Sequence, residues 1–176
     1  MKARPSVDEL RSLLDYDPKT GVLTWRYRPR ERPTWNTRYA GTPAGTLKKR
    51  EIQVKIGARL YRAHQLAWAI HTGEWAPGKI DHRDSDFTNN AILNLRPATT
   101  AQNNSNRRVV AGVVGYKGVY YCRRHARYAA QIKAELKWSW LGLHDTAEAA
   151  ARAYDVAAIE LHGEFAVTNA SLGLLT

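Results

Sequence analysis

Asp81 and His82 side by side, then Asn94, then Asn103, form an order of residues suited to breaking a phosphodiester bond. That reaction needs an attacking water, a base to take its proton, and a cation to face the developing charge. His82 suits the base, because an unperturbed imidazole titrates near neutrality. Asp81 offers a hard carboxylate oxygen of the kind Mg²⁺ takes, with Mn²⁺ able to substitute. Asn103 adds an amide oxygen. An Asp-His pair alone is more often an ordinary turn, so the weight lies in the four-part order. His64 reads as a packed or hydrogen-bonded helix residue. His71, His125, His144 and His162 show no ligand spacing with one another. Neighbours in a regular strand point to opposite faces. Asp81 and His82 can therefore share a site only if the backbone leaves strand geometry there, and the Asp- and Asn-rich run over 83–94 is the loop expected to allow it.

The elements that would carry these residues follow from pattern and caps. Ser6 to Glu9 is a capping box ahead of Leu10, Leu13 and Leu14, predicting a short helix that ends before Asp17-Pro18. Residues 22–27 alternate as a strand. Residues 28–42, with Arg28, Arg30, Arg32 and Arg38 among prolines, read as an irregular basic loop. Strands are expected over 46–49, 52–56 and 60–61, and a helix from Ala63 to His71 with Ala63, Leu66, Ala67 and Ile70 on one face. Thr99 to Gln102 is a second capping pattern, starting a helix through Asn103 to Arg107. Gly112 and Gly115 mark a linker. Three strands then fall at 119–123, 128–134 and 137–143. Asp145-Thr146-Ala147-Glu148 is a third capping pattern, launching a helix to about Leu161 with an alanine-rich face that stops at Gly163.

A formal net charge of +11 over 176 residues attracts polyanions. Arginine and lysine lie close to Trp and Tyr, which suits phosphate contact combined with base or sugar packing. No apolar run is long enough for a bilayer, and the N-terminus lacks the apolar stretch of a signal peptide, so a cytoplasmic protein is expected. Cys122 is the only cysteine, which excludes an internal disulfide and a cysteine-based zinc site.

Ile80-Asp81-His82-Arg83-Asp84, Asn89-Asn90, Asn94-Leu95 and Gln102-Asn103-Asn104 together resemble the HNH endonuclease family, in the branch typical of phage homing endonucleases. Tyr61 to Trp68 resembles the helix that precedes the motif in that branch. The resemblance implies a ββα-metal core with one divalent ion, His82 as general base, and Asp81 and Asn103 as metal ligands. It implies that the Asn94 side chain pins the loop through backbone hydrogen bonds. Asn103 stands where other branches carry a final histidine.

Downstream, Tyr116-Lys117-Gly118-Val119, Tyr128 to Ile132, Trp140-Leu141-Gly142 and Asp145 to Ala158 resemble the Apetala-two/ERF DNA-binding domain over residues 113–170. That family lays a three-stranded sheet in the major groove, with a helix packed behind. The resemblance puts DNA contacts on outward strand residues, here Tyr120, Arg123, Arg127, Tyr128, Gln131, Lys133 and Trp140. Trp138 shares a face with Trp140, and the choice between core and surface for the two is open. Tyr128 and Gln131 stand where plant members often carry Trp and Glu, so no plant target sequence carries over.

The expected fold is α+β: a ββα-metal nuclease core followed by a three-stranded antiparallel sheet with one packed helix. The expected domains are a helix and β-rich region at 1–58, a nuclease motif at 59–110 and a reading domain at 113–170. The expected function is a metal-dependent endonuclease on double-stranded DNA, nicking once per site, as monomer or homodimer. It needs no membrane and no evident protein partner, and its setting is the cytoplasm of a bacterial or phage-infected host cell. The alternatives are a catalytically silent DNA-binding regulator, separable by metal-dependent cutting, and an RNA-binding protein, separable by competition between duplex DNA and RNA.

Overall fold

Ser6 accepts a hydrogen bond from Glu9 N and starts helix α1, Val7–Leu13, whose Leu10 is wholly buried. Strands β1, Leu14–Tyr16, and β2, Leu23–Trp25, follow as an antiparallel pair. Asp17 closes their turn by accepting from Lys19 N and the Thr20 hydroxyl. The computed structural model describes residues 4–29, 31, 33–106, 114–134 and 137–175. Arg30, Arg32, Arg107 and Gly112, which figure in the expectations above, lie outside them.

The expected irregular stretch at 28–42 contains a helix, α2, Pro33–Tyr39. Proline tolerates a first helical position because its missing N–H would have no partner there. Arg28 is drawn in by Trp35 and Trp25, its guanidinium carbon 4.0 Å and 4.7 Å from their ring centroids. Its backbone N and O are both bonded by the Asn36 side chain. At least this arginine serves the fold rather than a solvated loop.

Strands β3, Thr46–Lys48, β4, Glu51–Ile56, and β5, Arg59–Arg62, form an antiparallel sheet in that order. Helix α3, Ala63–Thr72, buries Ala63, His64, Leu66, Ala67 and Ala69, and Gly73 ends it in the left-handed conformation. Leu10, Leu14, Leu23, Val54 and Leu66 make one core. Strand β6, Lys79–His82, pairs with β7, Leu95–Ala98, and Ile80 and Leu95 pack on Ala67 of α3. Apart from Ala98, these residues belong to a first compact unit, 1–97.

The second unit spans 98–176. Helix α4, Thr100–Ser105, opens with the expected reciprocal capping box between Thr99 and Gln102. Strands β8, Val119–Cys122, β9, Arg127–Ala134, and β10, Lys137–His144, form an antiparallel sheet with β9 central. Helix α5, Ala147–His162, lays Ala150, Ala151, Ala157 and Ala158 against Val119, Ala130 and Ile132. Small side chains let the helix lie close to the sheet. Among the described residues, no helix is long and apolar enough to cross a membrane.

Candidate functional site

His82 closes β6 and is 1% exposed. It packs edge-on to His64 of α3, with centroids 5.0 Å apart, and against Phe87 at 5.6 Å. Its Nε2 lies 3.1 Å from Asn90 Oδ1. The Asn90 amide nitrogen donates to Thr88 O, which orients the amide so that its oxygen faces the imidazole. With Asn90 Oδ1 as acceptor, the donor in this contact is Nε2. Asn90 is itself held, its backbone oxygen accepting from the Tyr16 hydroxyl at 2.8 Å. Burial, followed by the nearby His82 and Arg62, pushes His64 down to about 3, so it stays neutral beside the ring.

The loop over 83–94 is built by its own polar side chains. Asn94 Oδ1 accepts from Asp84 N at 3.1 Å, and its amide nitrogen donates to Asn89 O at 2.8 Å and Asp84 Oδ1 at 2.9 Å. Asn89 donates to the other Asp84 oxygen. Asp86 accepts from Thr88 N and Oγ1, bonds that hold its carboxyl below the usual carboxylate range. Asp84 and Asp86 are thus engaged in loop scaffolding.

Asp81 stands apart from His82. Strand geometry persists through His82, and the first left-handed residue comes later, at Ser85. Ile80 and His82 both meet α3, while the Asp81 carboxylate turns to Arg96 of β7, whose Nε and Nη2 lie 3.0 Å and 2.9 Å from Oδ2. The departure from strand geometry expected at this pair does not occur. Both members of the ion pair are almost fully buried. Asn103 lies on α4 and counts with the second unit. Hard carboxylate and amide oxygens are donors that suit Mg²⁺, and at Asp81 such an ion meets a carboxylate already neutralised by Arg96.

Sheet register sorts the expected DNA-contact residues by face, because directly paired residues project to the same side. Val119, Ala130 and Ile132 meet α5. Tyr120, paired with Ala129, and Gln131, paired with Trp140, project the other way. Lys133 pairs with Trp138, and its ammonium lies 5.7 Å from that indole's centroid. Trp138 and Trp140 are 63% and 56% exposed, which places both on the outward face. Arg123 is exposed in the turn after β8, and Arg127 is paired with Asp145 at 2.7 Å. Tyr128 is a correction. It pairs with Tyr121, packs with the Val119 and Ala130 cluster, and lies on the helix side, because its strand neighbour Arg127 takes the other face.

Sequence reasoning assigned no role to Asn90 or Arg96. Asn90 sat inside the quoted Asn89-Asn90 pair. Arg96 carries a weak signal, a charge between Leu95 and Pro97-Ala98 in a stretch that becomes a strand.

Comparison with known proteins finds two family matches. Residues 61–105 match the HNH endonuclease family, and residues 114–164 match the AP2 domain. Among curated proteins, the chain is 41% identical to an AP2/ERF and B3 domain-containing protein of Oryza sativa subsp. japonica, over 44% of this chain and 19% of the relative. It is 30% identical to the AP2-like ethylene-responsive transcription factor PLT2 of Arabidopsis thaliana, over 85% of this chain and 29% of the relative. The ethylene-responsive transcription factor WRI1 of Arabidopsis thaliana is 28% identical over 88% of this chain and 40% of the relative. The chain therefore spans well under half the length of each of these relatives.

Proposed function

We propose that this chain is a metal-dependent endonuclease of double-stranded DNA that reads its target with the outward face of the β8–β10 sheet and cuts at His82. The observation that carries the cutting half is the His82 imidazole with its Nε2 proton directed to Asn90, at the edge of a loop pinned by Asn94, inside the stretch that matches HNH endonucleases. In this reading, water gives its proton to His82 Nδ1 as its oxygen attacks phosphorus in line, and the bond from phosphorus to the leaving oxygen breaks. Asn90 keeps Nδ1 unprotonated for that step. Asp81 and Asn103 are the proposed Mg²⁺ ligands, with Mn²⁺ substituting, in a state in which the end of β6 leaves the strand geometry that turns Asp81 to Arg96 and away from His82. The bound ion supplies positive charge to the phosphate and leaving oxygen. Because the His82 ring is buried against Phe87, water reaches Nδ1 on a shift of the 83–91 loop.

The reading half rests on Tyr120, Gln131, Lys133, Trp138 and Trp140 on one exposed face, in a stretch that matches the AP2 domain. Tryptophan faces and a lysine on a strongly basic chain suit packing and phosphate contact, and Gln131 can pair with adenine. A chain with one such centre nicks one strand per event. Cutting is tested by incubating the protein with duplex DNA and Mg²⁺ or chelator, beside His82→Ala. Metal-dependent nicks that disappear in the variant are expected.

A second reading is a DNA-binding regulator without cutting activity. It is favoured by the Arg96 guanidinium on Asp81, by the burial of His82, and by relatives that are named transcription factors. Equal binding by both proteins with no cleavage in Mg²⁺ or Mn²⁺ would select it.

A further inference from the structure

Arg96 reaches Asp81 across the β6–β7 pair with two donors, Nε and Nη2, both on Oδ2. The two side chains are 5% and 2% exposed. A carboxylate taken this far from water keeps its charge only beside a compensating one. A guanidinium supplies that charge permanently, because it does not deprotonate in proteins. Asp81 is thus satisfied by the chain itself. An ion arriving at the same carboxylate adds positive charge beside Arg96 in a poorly screened place, unless the guanidinium yields its hold on Oδ2.

We infer that Arg96 is the resident cation of this centre: a divalent ion binds Asp81 by exchange with the guanidinium, and Arg96 thereby sets the metal affinity. This rests on the reading of Asp81 as a metal ligand. The free chain then holds metal weakly, and the strength of the Arg96 contact determines how much metal is needed. The neighbouring acidic residues do not offer an equivalent seat, since Asp84 and Asp86 hold the loop together.

The test is direct Mn²⁺ binding to the full chain without DNA, followed by electron paramagnetic resonance of the free ion. The proteins compared are the wild type, Arg96→Gln, Arg96→Lys and the double variant Arg96→Gln/Asp81→Asn. Removing the competing charge should tighten Mn²⁺ binding at least about tenfold in Arg96→Gln. The double variant should lose that gain. Arg96→Lys keeps a charge but replaces the fixed fork with one flexible ammonium, and should bind more tightly than wild type by about threefold or more. If Arg96→Gln does not fold, the lysine variant decides. Affinity no greater than wild type in the variants that fold, or a gain that survives Asp81→Asn, overturns the inference. Cleavage measured on the same proteins separates the two readings. Cutting by wild type without any gain in the variants removes the role of Arg96 and leaves the nuclease. A gain in affinity with no cutting by any protein does the reverse.

Discussion

The buried pair of Asp81 and Arg96 sets a clear energetic expectation. Two charges removed from water gain little over well-packed apolar residues, but one left without the other is costly. Arg96→Ala should lower unfolding free energy by about 3–5 kcal/mol. Asp81→Leu/Arg96→Met should recover most of that loss, both measured by urea denaturation. His64 gives a pH expectation. Its ordinary value is 6.5, and in the fold it is pushed down to about 3. The unfolded chain therefore binds this proton first as pH falls. Its contribution is fully present above about 6.5 and is lost as pH drops towards 3. His64→Leu should flatten the fall of stability between pH 6.5 and 4 relative to wild type, read from melts at a series of pH values. Asp81, His82 and Asn94 could be singled out from residue type and order. Asn90 and Arg96 could not, because their roles come from a loop that folds back and from strand pairing, which local pattern does not state.

The elements with strong local signals stand where their caps and alternation put them. The patterns Thr99 to Gln102 and Asp145 to Glu148 mark helices α4 and α5, and both helices are observed, α5 with Thr146 as its cap. Helix α2 was illegible because prolines and arginines mask it. The aromatic and arginine contacts of Trp25, Arg28 and Trp35 supply support that propensity lacks. The pairing of β1 with β2 was illegible for a similar reason, since three-residue strands are held by tertiary packing. Gly118, just before β8, shows how tightly α5 sits on its sheet. A Cβ there would lie 2.0 Å from Tyr154 Cδ2, at a φ of +75°. Gly118→Ala should therefore cost about 2–4 kcal/mol, through overpacking and the left-handed backbone together. Gly41→Ala, at φ +77° with nothing within 4 Å, should cost only about 1–2 kcal/mol. Chemical denaturation of the two variants checks the contrast.

Over the whole molecule, the residues proposed to cut and those proposed to read fall on different stretches of chain. His82 and its loop belong to the unit over 1–97, and the outward tryptophans to the unit over 98–176. The N-terminal elements also support the loop that follows His82. Tyr16 holds Asn90, Pro18 O accepts from Ile92 N, and Gly21 approaches Asn90 and Ala91 too closely for a Cβ. The outward face was legible as alternation, but Tyr128 was misplaced because the first strand residue that faces inward depends on register. If the sheet selects the site and His82 performs the cut, removing each should fail differently. The most direct measurement maps the broken ends produced on one duplex DNA by wild type, His82→Ala and Trp140→Ala in Mg²⁺, with bound fractions read from the same reactions. Recurring cuts by wild type, binding without cuts by His82→Ala, and weaker binding with scattered cuts by Trp140→Ala are predicted. Cuts by His82→Ala equal to wild type, or an unchanged cut map in Trp140→Ala, would contradict the account.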